Sequence, residues 1–267
     1  MPSIRHAAVP ALLALLLAAC GRPSDDETVA IRVQEGTALG FDLSPDGRAI
    51  VFDLLGQLWE VPGGGGAARP LTDAVRDTAE DLDPSWSPDG RRIVFRSERH
   101  GRTGLWLLEP GVGAPRQLTQ LENPDGFDGQ AAWSPDGRAI AFVRLVPPDS
   151  RSKAWRSRLA WIDPAGGEAH ELPMAATVLR DLREPVWAPD GRRLAAVAGS
   201  ARDEEGAGRL WLIERATGRA TALTAPGSAA LAPAFAPDGR RLAFFAPDSA
   251  HRTQLWVMPV SANLVDA

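Results

Sequence analysis

Five short apolar runs punctuate the chain: Ala49-Ile50-Val51-Phe52, Ile93-Val94-Phe95, Ala139-Ile140-Ala141-Phe142-Val143, Leu194-Ala195-Ala196-Val197 and Leu242-Ala243-Phe244-Phe245. Each is too short for an apolar helix and is bounded by polar residues, the pattern of a strand buried on both faces. One or two polar residues before each run stands the same tetrapeptide, Ser-Pro-Asp-Gly at Ser44, Ser87 and Ser134 and Ala-Pro-Asp-Gly at Ala188 and Ala236. This is a hairpin turn with a mechanism: Pro presets φ, Asp hydrogen-bonds nearby backbone, and Gly accepts the left-handed conformation. A third strand follows each run, marked by Leu58-Trp59, Leu105-Trp106, Ala160-Trp161, Leu210-Trp211 and Leu255-Trp256. A turn containing Gly or Pro then leads to an outer strand ending in Leu71-Thr72, Leu118-Thr119, Leu172-Pro173 or Leu223-Thr224.

The turn prolines Pro45, Pro88, Pro135, Pro189 and Pro237 are separated by steps of 43, 47, 54 and 48 residues. That spacing is the size of one four-stranded propeller blade. The fold class expected is therefore all-β, a β-propeller of about five four-stranded blades, with the propeller over 28–267. The fifth copy shows three strands, and the alternating segment Thr28-Val29-Ala30-Ile31-Arg32-Val33 is a candidate for its missing outer strand, which would close the ring. Adding Trp86, Trp133 and Trp187, eight of the nine Trp residues occupy repeat positions. Such residues are expected to pack one blade on the next, each burying roughly 150–250 Å². Trp155 stands outside the repeat. The aspartates of the turns are read as turn chemistry, and none as catalytic.

Composition agrees and narrows the function classes. In 267 residues there are 26 Gly and 23 Pro, which exclude a mostly helical protein. Cys20 is the only cysteine, so a disulfide framework, a zinc ribbon or a redox Cys-x-x-Cys is excluded. A net charge of -5 argues against nucleic acid as a partner. Met1 to Ala19 combines an early Arg5 with an apolar run too short to span a bilayer, which reads as a secretory signal peptide over 1–19. The junction Leu17-Ala18-Ala19-Cys20 resembles the bacterial lipobox, which implies lipidation of Cys20 and membrane attachment through that anchor only. With Gly21 next, the expected address is the periplasmic side of the outer membrane, and the polar stretch 20–27 serves as a flexible tether.

Candidate chemistry is sparse. There is no Gly-x-Ser-x-Gly elbow, the four histidines (His6, His100, His170, His251) stand singly, and Gly63-Gly64-Gly65-Gly66 lies between two strands rather than before a helix. No catalytic residue, metal site or cofactor is expected. In a propeller the loops between blades share one face with the loops joining second and third strands, and the Pro-Asp-Gly turns lie opposite. Binding is expected on the variable loop face. Two inter-blade loops there are acidic, with Asp73, Asp77, Glu80, Asp81 and Asp83 in one and Glu122, Asp125 and Asp128 in the other. They read as solvated loop charge, with a site for a cation or cationic ligand as the alternative. The longest loop, Val146 to Arg158, holds Arg151, Lys153, Trp155, Arg156 and Arg158. Cations around an aromatic fit an acidic partner, a glycan or a lipid headgroup, or else a basic surface loop with no ligand.

The order aromatic residue, Ser/Ala-Pro-Asp-Gly, apolar run, Leu-Trp, Gly-rich turn, Leu-Thr resembles the TolB-like (WD40-like PD repeat) β-propeller of bacterial envelope proteins, over about Val29 to Val260. The Gly-His and Trp-Asp pairs of WD repeats and the Gly-Gly pair of kelch repeats do not recur. The resemblance implies a periplasmic propeller that binds an envelope protein or polymer without catalysis. Propellers of this kind also form the non-catalytic front end of secreted peptidases and amidohydrolases. Glu35-Gly36-Thr37, with the run Phe52-Asp53-Leu54-Leu55-Gly56-Gln57-Leu58-Trp59 after the first turn, is similar to the opening of the amidohydrolase type. A fragment of such a hydrolase is the alternative reading.

Overall fold

The computed structural model describes residues 40–73, 78–121, 125–149, 154–174, 179–199 and 208–260. They form a β-propeller of five blades, each an antiparallel meander taken in chain order. Blade one comprises β1 (Phe41–Leu43), β2 (Ala49–Leu54), β3 (Gln57–Pro62) and β4 (Arg69–Pro70); blade two comprises β5 (Asp81–Trp86), β6 (Ile93–Ser97), β7 (Gly104–Leu108) and β8 (Arg116–Gln117). Blade three holds β9 (Phe127–Trp133), β10 (Ile140–Val146), β11 (Arg156–Ile162) and β12 (His170–Glu171). Blade four holds β13 (Arg180–Trp187), β14 (Arg193–Gly199), β15 (Arg209–Glu214) and β16 (Ala220–Ala222). Blade five shows three strands among the described residues, β17 (Leu231–Phe235), β18 (Arg241–Pro247) and β19 (Thr253–Pro259). Thr28–Val33, the candidate closing strand, lies outside the described residues.

The repeated turn joins the first and second strands of each blade, and its residues explain it. Ser87 Oγ donates to Asp89 Oδ1 at 2.5 Å and accepts the Arg92 amide at 2.9 Å, while the Arg91 amide donates to Asp89 Oδ1 at 3.1 Å. Gly90 closes the turn with φ +67°, a conformation that a side chain would strain. The Ser44 and Ser134 turns repeat this pattern. The Leu-Thr signature has an equally local cause. Thr72, Thr119 and Thr224 each accept, through Oγ1, the amide of the leucine that opens the Leu-Trp pair, at 3.0, 3.0 and 3.1 Å. The hydroxyl satisfies a third-strand amide after the outer strand has ended at two or three residues.

Third-strand register corrects one sequence assignment. Phe52 pairs with Trp59, Phe95 with Trp106, Ala196 with Trp211 and Phe244 with Trp256, but Phe142 pairs with Ala160. Leu159-Ala160, not Ala160-Trp161, is therefore the Leu-Trp equivalent of blade three, and Trp161 faces the opposite side of its sheet. There it stacks beneath the Arg215 guanidinium at 4.0 Å. Both faces of a buried strand are apolar, so an offset of one residue leaves no mark on the apolar pattern.

The core lies between blades rather than within them. Val51 and Leu58 of blade one pack with Trp86, Ile93, Phe95 and Trp106 of blade two. Val94, Leu105 and Leu107 pack with Trp133, Ile140 and Phe142, and two further clusters join blades three to four and four to five. The tryptophans before the turns act as inter-blade anchors: Trp133 Nε1 donates to Ser85 O at 3.1 Å and Trp187 Nε1 to Ala132 O at 3.0 Å, each reaching back one blade. Burying such a ring contributes a few kcal/mol gross, on the order of 25 cal/mol per Å².

Candidate functional site

The first strands of successive blades pack against one another and form the inner rim. From the second blade on, each carries a bulge at the same repeat position, five residues before the turn proline. Asp83, Gln130, Glu184 and Ala232 sit there with φ of +54°, +54°, +53° and +47°. The ladder shifts register at each of these bulges. At the bulges of blades two, four and five the amide of the bulge residue is taken by a side chain of the preceding blade. Asp83 N donates to Asp53 Oδ2 at 2.8 Å, Glu184 N to Gln130 Oε1 at 2.8 Å and Ala232 N to Glu184 Oε2 at 2.5 Å. Asp53 also accepts the Gly40 amide at 3.1 Å. Polar side chains thus staple the inner rim between blades one and two, three and four, and four and five.

Burial pushes the Asp53 carboxyl above the ordinary carboxylate range, opposed by the two amides it accepts and reinforced by the charge of Asp83. Burial likewise raises Asp42, opposed by the Trp86 amide at 2.7 Å and the Ser85 hydroxyl at 3.2 Å. These rim residues escaped the sequence reading, which took Asp83 for loop charge. A signal was present: the position five before the turn proline is followed directly by Pro84, Pro185 and Pro233 in three copies.

Part of the acidity of the inter-blade loops is neutralised inside the fold, which corrects its reading as solvated charge. Asp81, at 2% exposure, is held bidentately by Arg99 at 2.5 and 2.8 Å. Arg99 itself lies over the rings of Phe95 and Trp106. Asp128 is fully buried and paired with Arg144 at 2.8 Å through both oxygens, whereas Asp83 stays exposed and pairs with Arg96 at 3.0 Å at the surface. The arginines come from the second strand of the same blade or the residues just after it, a contact no linear spacing announces. Among the described residues no group of three or more His, Cys, Asp or Glu is placed to hold a metal ion. Asp77 and Glu122 lie outside the described residues.

In the third-blade loop, Arg151 and Lys153 lie outside the described residues, as does Cys20. Trp155 is half exposed. Arg156 opens β11 and donates to Asp149 Oδ2 at 2.6 Å, and Arg158 Nε stands 4.0 Å from Glu171. Two of the cations assigned to a binding patch therefore already face carboxylates, while the Trp155 indole stays half exposed. Beside the loop runs a cleft of about 710 Å³ between blades two and three, lined by Arg116, Thr119, Arg144, Val146, Glu168 and Glu171 among others. His100 meets Trp106 edge-on and His170 packs tilted on Trp161.

With this geometry in view, solved structures supply the comparison. A TolB-type protein from Agrobacterium tumefaciens superposes with a TM-score of 0.64 at 19% identity, over 83% of this chain and 76% of that one. The fold is that of a TolB-like propeller. TolB from Acinetobacter baumannii matches with a TM-score of 0.59 at 17% identity, over 84% of this chain and half of that one. A puromycin-hydrolyzing peptidase from Mycobacterium tuberculosis matches with a TM-score of 0.59 at 19% identity, over 85% of this chain and 38% of its own length. No known family profile and no curated protein matches the chain. At these identities the likeness is one of architecture.

Proposed function

We propose that this chain is a lipid-anchored, periplasmic binding propeller of the outer membrane, with no catalytic role, which recognises an envelope protein or polymer through its variable loop face. The observation that carries the reading is the half-exposed Trp155 on the longest loop, beside an open cleft between two blades. An indole held in water on a rigid scaffold is the kind of anchor around which binding sites are built. In sequence Trp155 is flanked by Arg151, Lys153, Arg156 and Arg158, a composition that suits an acidic partner surface or glycan. The fold shared with TolB from two bacteria supports a binding role. The test is capture of cross-linked envelope components by the purified chain. Trp155→Ala combined with Arg156→Ala is expected to lose the captured species while thermal stability is kept, and capture undiminished in the double variant refutes the assignment.

The second reading, a non-catalytic propeller at the front of a longer secreted hydrolase, is favoured by one observation. The matched portion of the puromycin-hydrolyzing peptidase is 38% of that protein. A genomic frame continuing past Ala267 into a Gly-x-Ser-x-Gly elbow or a His-rich metal motif would decide for it.

A further inference from the structure

An arginine follows the repeated turn in every blade, as Arg48, Arg91, Arg138, Arg192 and Arg240, and each is exposed. What stands across from it, just past the third strand, differs from copy to copy. Register places Gly63, Pro110, Pro164 and Val260 opposite the arginine in blades one, two, three and five. In blade four the residue opposite is a second cation: Arg215 N donates to Arg192 O at 2.9 Å, one step past the Arg193–Glu214 pair. Like charges directly across a ladder repel.

Both arginines continue the sheet face on which Leu194 and Ile213 pack toward blade three. Arg215 is half-buried, its guanidinium 4.0 Å from the Trp161 ring centroid and 5.5 Å from that of Trp187. Stacking on two indoles holds the plane of the guanidinium and leaves its N–H edge for a ligand. His170, also exposed, packs on the Trp161 ring at 4.5 Å. The nearby carboxylates are otherwise engaged. Asp190 is taken by the Arg193 side chain at 2.7 Å and by two backbone amides, and Glu214 accepts the Thr217 hydroxyl. Among the described residues neither the Arg192 nor the Arg215 guanidinium has an ion pair or hydrogen bond.

We propose that the seam between blades three and four carries a phosphate-binding site on Arg192 and Arg215, at the end of the propeller opposite the variable loops. Two adjacent cations match the charge of a phosphate monoester, about -1.5 to -2 near neutral pH, and their paired N–H donors match its acceptor oxygens. The ligand is the phosphoryl group, free in solution or carried by a lipid headgroup, and two probes separate these sources. Phosphorus NMR titration of the purified chain with inorganic phosphate, at ionic strength held with chloride, is expected to show saturable binding. Arg192→Gln, at an exposed position, and Arg215→Gln are each expected to weaken it about tenfold. Arg215→Lys keeps the charge but loses the stacked fork, and is expected to bind more weakly than wild type. Should Arg215→Gln fail to fold, Arg192→Gln carries the test. Co-sedimentation with phosphatidic acid vesicles, absent with phosphatidylcholine vesicles and lost in Arg192→Gln, identifies a lipid headgroup as the source. Binding of inorganic phosphate without co-sedimentation identifies a soluble phosphate. Wild-type chain that binds neither probe, or binding undiminished in Arg192→Gln, overturns the proposal.

Discussion

The repeated turn exists in two forms within one molecule, which makes its energetics testable against an internal reference. In blade two, Ser87 Oγ accepts the Arg92 amide at 2.9 Å and donates to Asp89 at 2.5 Å. In blade four the serine is Ala188, and the equivalent Arg193 amide turns to Asp190 Oδ1 at 3.1 Å, beside the Arg192 amide at 2.8 Å. Asp190 carries two amides where Asp89 carries one, so the carboxylate substitutes for the missing hydroxyl. Ser87→Ala is therefore expected to cost about 1 kcal/mol, the net worth of one hydrogen bond, because Asp89 can take over the freed amide. Removal of the carboxylate ranks the other way: Asp190→Ala, which strands two amides and the Arg193 contact at 2.7 Å, is expected to cost more than Asp89→Ala, by about 1 kcal/mol. Urea unfolding, read as a shift in midpoint at constant slope, measures each.

The same turn carries a pH signature. The Ser87 hydroxyl holds the Asp89 carboxyl below the ordinary carboxylate range. A depressed folded-state pKa gives stability that is present above the unfolded-state value and lost as pH falls through the folded one. Ser87→Ala is thus expected to flatten the acid limb of the stability profile. A Ser87→Ala cost above about 3 kcal/mol, or Asp190→Ala no more damaging than Asp89→Ala, would refute carboxylate substitution.

Removing one partner of the buried Asp81–Arg99 pair leaves a charge without compensation, so Arg99→Ala is expected to cost roughly 3–5 kcal/mol, and Arg99→Met with Asp81→Leu to recover most of it in urea unfolding. Cys20→Ser is expected to move the protein from the membrane fraction to the soluble periplasm; an unchanged membrane fraction would remove the lipid anchor from the proposed function.

What was legible in the residues is what short-range chemistry controls. The Pro-Asp-Gly turn, its spacing and the apolar runs after it led to a β-propeller because each turn closes over four residues with its own side chains. The Leu-Thr pair was visible as a marker, and the structure supplies its reason in a hydroxyl that accepts an amide of the neighbouring strand. The offset at Leu159-Ala160 stayed hidden because strands buried on both faces have no polar side to set the register. Trp155 stood out as the one tryptophan outside the repeat, and it is the one on the exposed loop.

The chain by itself determined the class of fold, the blade boundaries and the turn chemistry, since all of these follow from residues close in sequence. Tertiary structure alone decided which charges are buried, which amides the bulges release and which apolar faces remain uncovered. Asp81 and Asp128 read as surface acids until the fold brings Arg99 and Arg144 onto them. Leu255 reads like its four equivalents, which are buried, yet it is exposed. Burial is a property of what packs against a residue, and in a ring of blades that neighbour comes from another repeat.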